Sequence, residues 1–196
     1  GHRGSAGTSP ENTIAGLREA LNAGVQWLEI DVRYADGELF VIHDEDLDRT
    51  TTGVGSIYKR SKREIRRLDA GDGEQIPTLA EVLQTINAEV SINIELKDCQ
   101  SMRFAYELVT TLLTENPRWR GKVMFSTFEK SIHADMANML PNGCLLGILL
   151  KDMPSDAVAY ASHLNAYSFN LSYQHLEQAL IPQAHAAKLK VILYNV

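Results

Sequence analysis

Strands and helices alternate regularly through the second half of the chain, and this alternation limits the possible folds more than any other feature. After a predicted strand at 90–97, apolar runs of strand length recur, each preceded by a segment with the apolar spacing of a helix. Short links with intervening helices are typical of a parallel sheet, either doubly wound or closed as a (β/α)8 barrel. The predicted helices are 101–115, 129–139, 154–163 and 173–187, and the strands predicted after them are 122–128, 144–150, 165–170 and 190–196.

The first half of the chain is less regular. Ser9 is a good N-cap, and it predicts a helix over 10–23. A predicted hairpin follows, and after it the segment 45–76 is rich in Thr, Gly, Asp and Arg. That composition predicts a turn-rich insertion with a short helix around 62–68.

Two acids lie on one face of a predicted strand over 27–35, because successive side chains of a strand point to opposite faces. The predicted strand at 90–97 repeats this pattern of alternating apolar and charged residues. The charged residues that matter on these two faces are Glu29, Asp31, Glu95 and Lys97.

A tight turn should bring a histidine to the same place. Asp36-Gly37 is a dipeptide that two-residue hairpin turns prefer, so the next strand should fold back antiparallel on 27–35. Counting outward from the turn pairs Val32 with Val41 and brings His43 beside Asp31. The hairpin therefore predicts an imidazole next to the acids.

The charged strand faces have two interpretations. On an ordinary half-buried strand they would face solvent and form a salt bridge or two. Both strands are apolar enough to be buried in a parallel sheet, however, and a buried carboxylate must be paired or bind a metal. Three oxygen ligands, Glu29, Asp31 and Glu95, suit a hard cation such as Mg²⁺ or Ca²⁺ better than zinc. The pattern favours a metal site.

The bulk properties exclude several classes of function. A net charge of −6 without a basic stripe makes nucleic acid an unexpected partner, and no run of about 18 apolar residues could span a membrane. Cys99 and Cys144 match no disulfide or metal motif, which favours a reducing, cytoplasmic compartment. The chain begins without an initiator methionine, so a leader with a secretion signal could precede it. The sequence does not indicate the oligomeric state.

Several motifs, met in chain order, resemble the signature series of the glycerophosphodiester phosphodiesterases. Two later segments resemble that family more loosely: Phe125-Ser126-Thr127-Phe128, and 191–196, where Tyr194 replaces a common Trp and Asn195 a common Thr. The closely matching motifs are His2-Arg3-Gly4, Pro10-Glu11-Asn12-Thr13, Glu29-Ile30-Asp31, Asp36-Gly37, His43-Asp44, Leu47, Arg49-Thr50-Thr51, Gly53, Ile76-Pro77-Thr78-Leu79 and Asn93-Ile94-Glu95-Leu96-Lys97.

The resemblance implies one (β/α)8 TIM-type barrel domain over 1–196, with a small insertion, about 45–76, after the second strand. Such a barrel would need a further strand leading into His2 and another after Val196, so we expect this chain to be clipped at both ends.

The resemblance also implies a reaction, the hydrolysis of glycerophosphodiesters to sn-glycerol 3-phosphate and an alcohol with one bound divalent cation, Mg²⁺ or Ca²⁺. The attacking group could be the glycerol 2-hydroxyl, through a cyclic phosphate, or water. The implied roles are metal ligation by Glu29, Asp31 and Glu95, acid and base catalysis by His2 and His43, phosphate binding by Arg3 and Lys97, and a substrate-side wall of Phe128 and Tyr194.

Two rival functions use the same residues differently. A lysophospholipase D or sphingomyelinase D type enzyme would act on larger lipids and would need an exposed apolar rim, for which 45–76 offers Ile57 and Tyr58. A non-catalytic phosphate- or metal-binding module would be expected to have lost a histidine or a ligand, and none is lost here. We therefore expect a small-molecule phosphodiester as the substrate.

Overall fold

A seven-stranded sheet forms the centre of the computed structural model, which describes residues 1–152, 155–177 and 179–194. The strands in chain order are β1 (Trp27–Ala35), β2 (Glu38–Val41), β3 (Ser91–Leu96), β4 (Val123–Thr127), β5 (Leu145–Leu150), β6 (Ser168–Ser172) and β7 (Lys190–Tyr194).

The order of the strands decides between the two predicted architectures. Their order in the sheet is β2-β1-β3-β4-β5-β6-β7, and every neighbouring pair except β1 and β2 is parallel. A doubly wound sheet reverses its strand order at a switch point, whereas here the parallel strands follow one another in chain order. This sequential order is that of a TIM-type α/β barrel, and the predicted fold class is confirmed.

Seven α-helices within the described ranges connect and cover the strands. Their apolar faces, with Leu17, Leu83 and Val109 among them, are buried against Ile30 and Ile94 of the sheet. Each fully buried side chain of this size contributes about 1.5–3 kcal/mol. The helices are α1 (Ile14–Asn22), α2 (Lys62–Ile65), α3 (Leu79–Ile86), α4 (Cys99–Glu115), α5 (His133–Met139), α6 (Ala157–His163) and α7 (Leu180–Ala186).

The start of the first helix differs from the prediction. The helix begins at Ile14 with Thr13 as its N-cap, whereas the Ser9 hydroxyl donates a hydrogen bond to the carboxylate of Glu19. Asn12 has a φ of 57°, a left-handed conformation that no helix continues through. The residues before Thr13 therefore form turns.

Two later boundaries also shift. β6 begins at Ser168, later than the predicted strand over 165–170, because Asn165 has a φ of 53° where the preceding helix ends. The helix predicted over 173–187 is divided into a 3₁₀ turn, Tyr173–His175, and α7. Residues 154, 178, 195 and 196, which fall in predicted elements, lie outside the described residues.

The hairpin has the predicted register, with Val32 opposite Val41, and it carries the insertion. Residues 45–76 contain α2 and a 3₁₀ turn and enclose a small apolar core, separate from the main one, that includes Ile57 and Ile65. The backbone amide of Lys62 donates to the Asp36 carboxylate at 2.6 Å, so the insertion is attached to the tip of the hairpin.

The first residues of the chain lie along β1. The Gly1 amino group donates to the carbonyl of Trp27 at 2.7 Å, and the Glu29 amide donates to the Gly1 carbonyl at 2.8 Å. This ladder places His2 and Arg3 beside Glu29. Among the residues that the structure describes, no helix has both the length and the apolar character needed to cross a membrane.

Candidate active site

Three carboxylates converge where β1 and β3 run side by side. The strands pair in parallel with Asp31 opposite Glu95, and Glu29 lies one pleat earlier on the same face of β1. One oxygen of each carboxylate lies within 4.8 Å of the others. Asp31 is 1% exposed and Glu95 8%, so the predicted face is not solvent-facing. We call Glu29, Asp31 and Glu95 the acidic triad.

Two cations and an amide surround the buried Asp31. The Lys97 ammonium lies 2.8 Å from Oδ1 and also contacts Glu95, whereas Nε of Arg3 lies 3.4 Å from Oδ2. Asn12 donates to Oδ2 at 2.9 Å. Asp31 Oδ1 and Arg3 Nε are buried without a well-directed hydrogen bond, because the Lys97 contact lacks the required angle. The acidic triad is therefore incompletely satisfied.

The pKa values of Glu29 and Glu95 are both raised in this environment. Burial raises the pKa of Glu29 well above its ordinary value, and the charge of Asp31 raises it further. Burial also raises the pKa of Glu95, although Lys97 opposes the rise. Carboxylates that are this costly to ionise gain from a bound cation.

The donor chemistry fits a divalent cation. The three candidate ligands are all carboxylates, and one oxygen of Asp31 makes no well-directed hydrogen bond although Lys97 lies close to it. Hard oxygen donors of this kind suit Mg²⁺ or Ca²⁺. The acidic triad is thus compatible with a divalent metal site.

The two predicted histidines lie at the same cavity, which has a volume of about 780 Å³. His2 Nε2 is 3.8 Å from Glu29 Oε2, and burial together with the neighbouring Arg3 lowers the pKa of His2. His43 follows β2 and lies beside Asp44, with Nδ1 2.5 Å from Oδ1. The hydrogen bond from Ile42 to the carbonyl of Asp31 holds this segment against β1, as the hairpin register predicts.

The two predicted phosphate-binding residues are held by acids. The Arg3 backbone amide donates to Glu29 at 2.9 Å, which requires a left-handed φ of 50°, and its guanidinium donates to Glu11 at 2.9 Å. Lys97 lies between Asp31 and Glu95, as described above. Both cations therefore lie next to the acidic triad. An anion bound beside the carboxylates would contact these two cations.

The two predicted aromatic residues form part of the opposite wall of the cavity. The rings of Phe128 and Tyr194 meet edge to face with their centroids 5.4 Å apart, and both residues line the cavity. The Tyr194 hydroxyl donates to the carbonyl of Leu150 at 2.7 Å. This bond fixes the ring, since the phenol has a buried acceptor.

Sequence reasoning did not assign site roles to four residues that the fold places here. Asn12 binds Asp31, Glu11 binds Arg3, and Asp44 binds His43, while Arg49 joins Glu11 to Asp44. Glu11 and Asn12 fall in the first turn of the predicted helix, where polar and acidic residues are common, so nothing local singles them out. Asp44 could have been predicted as a site residue from its position directly after His43, because carboxylates commonly orient imidazoles.

The fold and the site together define a class. In TIM-type barrels, functional groups gather where the strands meet the loops that follow them. Glu95 and Lys97 lie at that end of β3, and the pairing of β1 with β3 and with β2 brings Glu29, Asp31 and His43 to the same place. The molecule is an α/β-barrel enzyme by these criteria.

Comparison with known proteins identifies the family. The sequence model of the glycerophosphoryl diester phosphodiesterase family matches residues 2–196, and the chain belongs to that family. A glycerophosphodiester phosphodiesterase of Caldanaerobacter subterraneus subsp. tengcongensis is 31% identical over 204 aligned residues, which cover 100% of this chain and 84% of the relative. The resemblance drawn from the motifs is confirmed.

Solved structures agree with this assignment. A phosphodiesterase of Oleispira antarctica, in complex with the product sn-glycerol-3-phosphate, superposes with a TM-score of 0.87 at 30% identity, covering 100% of this chain and 83% of that one. A glycerophosphodiester phosphodiesterase of Thermotoga maritima superposes with a TM-score of 0.80 at 27% identity, covering 100% and 84%. The predicted fold class and enzyme class are therefore confirmed.

Proposed function

We propose that this chain hydrolyses glycerophosphodiesters to sn-glycerol 3-phosphate and an alcohol, by histidine acid and base catalysis at a site that binds one divalent cation. The observation that carries the proposal is that Glu29 and Glu95 line one cavity with His2 and His43, while the buried Asp31 completes the acidic triad beside them. The similarity to the phosphodiesterase of Oleispira antarctica, whose structure contains sn-glycerol-3-phosphate, supports the same product here.

Glu29, Asp31 and Glu95 would hold the cation, either Mg²⁺ or Ca²⁺. When bound, such an ion withdraws negative charge from phosphoryl oxygens and helps to orient the substrate. Arg3 and Lys97 already lie at the triad, so their guanidinium and ammonium groups would neutralise the phosphodiester. The phosphate would then share these cations with Asp31 and Glu95.

The histidines would move the protons. One imidazole takes a proton from the attacking hydroxyl, and the other gives a proton to the departing alkoxide. Because Asp44 engages Nδ1 of His43, Nε2 is the ring nitrogen left for this exchange. Direct attack by water needs these two proton transfers once. Attack by the glycerol 2-hydroxyl needs them to release the alcohol and form a cyclic phosphate, and needs two more when water opens the ring to glycerol 3-phosphate.

The apolar wall would receive the rest of the substrate. Phe128 and Tyr194 stand beside the cavity, and their edge-to-face contact gives them a firm surface for the glycerol or alcohol part. Of the apolar pair that a lipid substrate would need, Ile57 is fully buried, whereas Tyr58 stays 41% exposed with its hydroxyl donating to Asp98 at 2.9 Å. The predicted apolar rim is thus reduced to one aromatic ring, which favours a small alcohol over a long lipid chain.

Two further sequence predictions remain predictions. The organisation of 1–196 as a single barrel domain agrees with the one sheet shared by the described strands. The cytoplasmic location stays a prediction from the cysteine content of the sequence.

The testing experiment measures release of glycerol 3-phosphate from glycerophosphocholine and glycerophosphoethanolamine, with EDTA, Mg²⁺ and Ca²⁺ in parallel. We expect release that EDTA abolishes and one of the two cations restores. Activity that persists after exhaustive chelation would reject the metal requirement. A folded, metal-loaded protein that hydrolyses neither compound but cleaves a lysolipid would reject the proposed substrate class.

A further inference from the structure

Arg49 lies at the centre of a continuous chain of ion pairs that links two residues of the proposed machinery. Its terminal nitrogens donate to both oxygens of Glu11, at 2.9 and 2.8 Å. Its Nε donates to Oδ2 of Asp44 at 2.5 Å. Glu11 in turn accepts from Arg3, and the other oxygen of Asp44 meets Nδ1 of His43. One guanidinium thus connects Arg3 to His43.

The geometry uses what is particular to arginine. All three guanidinium nitrogens are occupied, two by one carboxylate and the third by another. A planar fork can hold two carboxylates at a fixed angle, whereas the ammonium of lysine is a point charge without that direction. Consistent with this, the hydrogen bonds of Arg49 lower the pKa of both Glu11 and Asp44.

Arg49 is outside the reacting centre. Its side chain is 49% exposed, and it is not among the described residues that line the cavity. It is supplied by the insertion, where the neighbouring Leu47 is fully buried in the small apolar core. The residues that it connects come from the N-terminal segment and from the end of β2. Arg49 therefore connects the insertion to both of these segments.

We propose that Arg49 is a positioning residue, which holds Arg3 and His43 in their working orientations through Glu11 and Asp44. This inference rests on the proposed function, because it takes the roles of Arg3 and His43 from there. The competing explanation is a purely structural ion pair that attaches the insertion to the barrel.

Arg66 offers a matched control for that explanation. It also lies in the insertion, and it also forms a bidentate pair, donating to Glu81 at 2.7 and 2.8 Å and to the carbonyl of Ile76 at 2.7 Å. Its described hydrogen bonds reach neither His43 nor Arg3. Removing it should therefore cost stability without disturbing the site.

The kinetic experiment compares Arg49→Met, Arg49→Lys and Arg66→Met with the wild type, by kcat and KM for the better glycerophosphodiester and by thermal unfolding. We expect Arg49→Met to lower kcat about 10–100-fold, the range for residues that orient catalytic ligands, and guanidinium ion to restore part of it. Arg49→Lys should be impaired as well, and it provides the test should Arg49→Met fail to fold. Arg66→Met should keep kcat within about twofold while lowering the unfolding temperature.

A second readout does not depend on activity. Nitrogen NMR of the histidine rings should show a changed tautomer balance for His43 in the Arg49 variants and an unchanged one in Arg66→Met, since Asp44 loses its partner in the former alone. If the wild type hydrolyses no glycerophosphodiester, the proposed function is rejected, and the histidine spectrum alone then tests whether Arg49 positions His43. Equal kcat for the Arg49 and Arg66 variants, or an unchanged His43 ring, would overturn the positioning role.

Discussion

Two clusters of charged residues lie side by side at the mouth of the barrel, and they shift the pKa of their carboxylates in opposite directions. In the acidic triad, burial raises the pKa of Glu29 and Glu95. In the chain formed by Glu11, Asp44 and Arg49, which we call the rim network, hydrogen bonds from Arg49 lower the pKa of both acids, that of Asp44 to about 2. A carboxylate is costly in the first cluster and stabilised in the second.

The difference follows from the partners of each carboxylate, since the exposed fractions of the side chains overlap, with 21% for Glu29 and 18% for Glu11. Glu29 accepts a hydrogen bond from the backbone of Arg3, whereas Glu11 accepts from the guanidinium groups of both Arg3 and Arg49, and Asp44 has both oxygens engaged. A buried site with surplus negative charge is suited to accept a cation. A partly exposed network whose charged groups are all paired is suited to fixing the orientation of its side chains. Proximity to a site therefore does not decide the role of a charged residue.

The largest effect is expected from replacing His43, whose ring contacts Asp44 of the rim network, compared with replacing a histidine away from the site. His43→Ala should lower kcat by about 10²–10⁴-fold, the usual contribution of a general acid or base, with little change in the unfolding temperature. His163→Ala, at an exposed helix end, is the matched control. Glycerol 3-phosphate release and calorimetric unfolding measure the two quantities, and wild-type rates in His43→Ala would remove it from the catalytic pair.

Cation affinity should depend on the acidic triad and not on the rim network. Glu95→Gln removes one candidate ligand, and we expect the cation to bind more than about 100-fold more weakly by titration calorimetry. Asp44→Asn should bind the cation within about twofold of the wild type, because Asp44 contacts His43 and Arg49 and lies outside the triad. Equal affinity for Glu95→Gln and the wild type would exclude Glu95 as a ligand.

In the metal-free protein, neutralising an acid of the acidic triad should raise the free energy of unfolding, whereas neutralising an acid of the rim network should lower it. Glu29→Gln should raise the free energy of unfolding by about 1–2 kcal/mol, because it removes a costly buried charge. The amide oxygen of the new side chain can still accept from the backbone of Arg3, as Glu29 does at 2.9 Å. Urea unfolding in EDTA tests this, and a clear loss of stability would mean that the triad is already balanced without a cation.

The smallest expected effect concerns Asp44 and pH. Its pKa in the folded state is lowered to about 2, so its stabilising contribution is complete above the ordinary pKa of about 4 and is lost as the pH falls towards 2. Asp44→Asn should therefore cost about 1 kcal/mol at pH 7, a value kept low by solvent exposure, and about half of that at pH 3. Urea unfolding at several pH values measures the difference, which would stay constant with pH were Asp44 not ionised in its ion pair.

Local sequence signals predicted much of the fold and most of the site. The Asp36-Gly37 turn set the register that brings His43 to Asp31, and strand alternation put Glu29 and Asp31 on one face. These signals act over a few residues, so a single sequence is enough to read them. The first helix was misplaced because Asn12 is bent into a left-handed conformation and binds Asp31, a contact across 19 residues.

Taken alone, the sequence determined the α/β class of the fold, the charged strand faces of the acidic triad and the position of His43, because strand periodicity and turn chemistry are local properties, whereas the role of His2 came from the resemblance of its motif. Only the tertiary structure decided which charges are satisfied. Arg49 and Glu11 are 38 residues apart in the chain, and nothing near either one predicts that they meet. Burial and pairing are properties of the assembled mouth of the barrel, and they determine whether a carboxylate there is available to a cation or committed to an arginine.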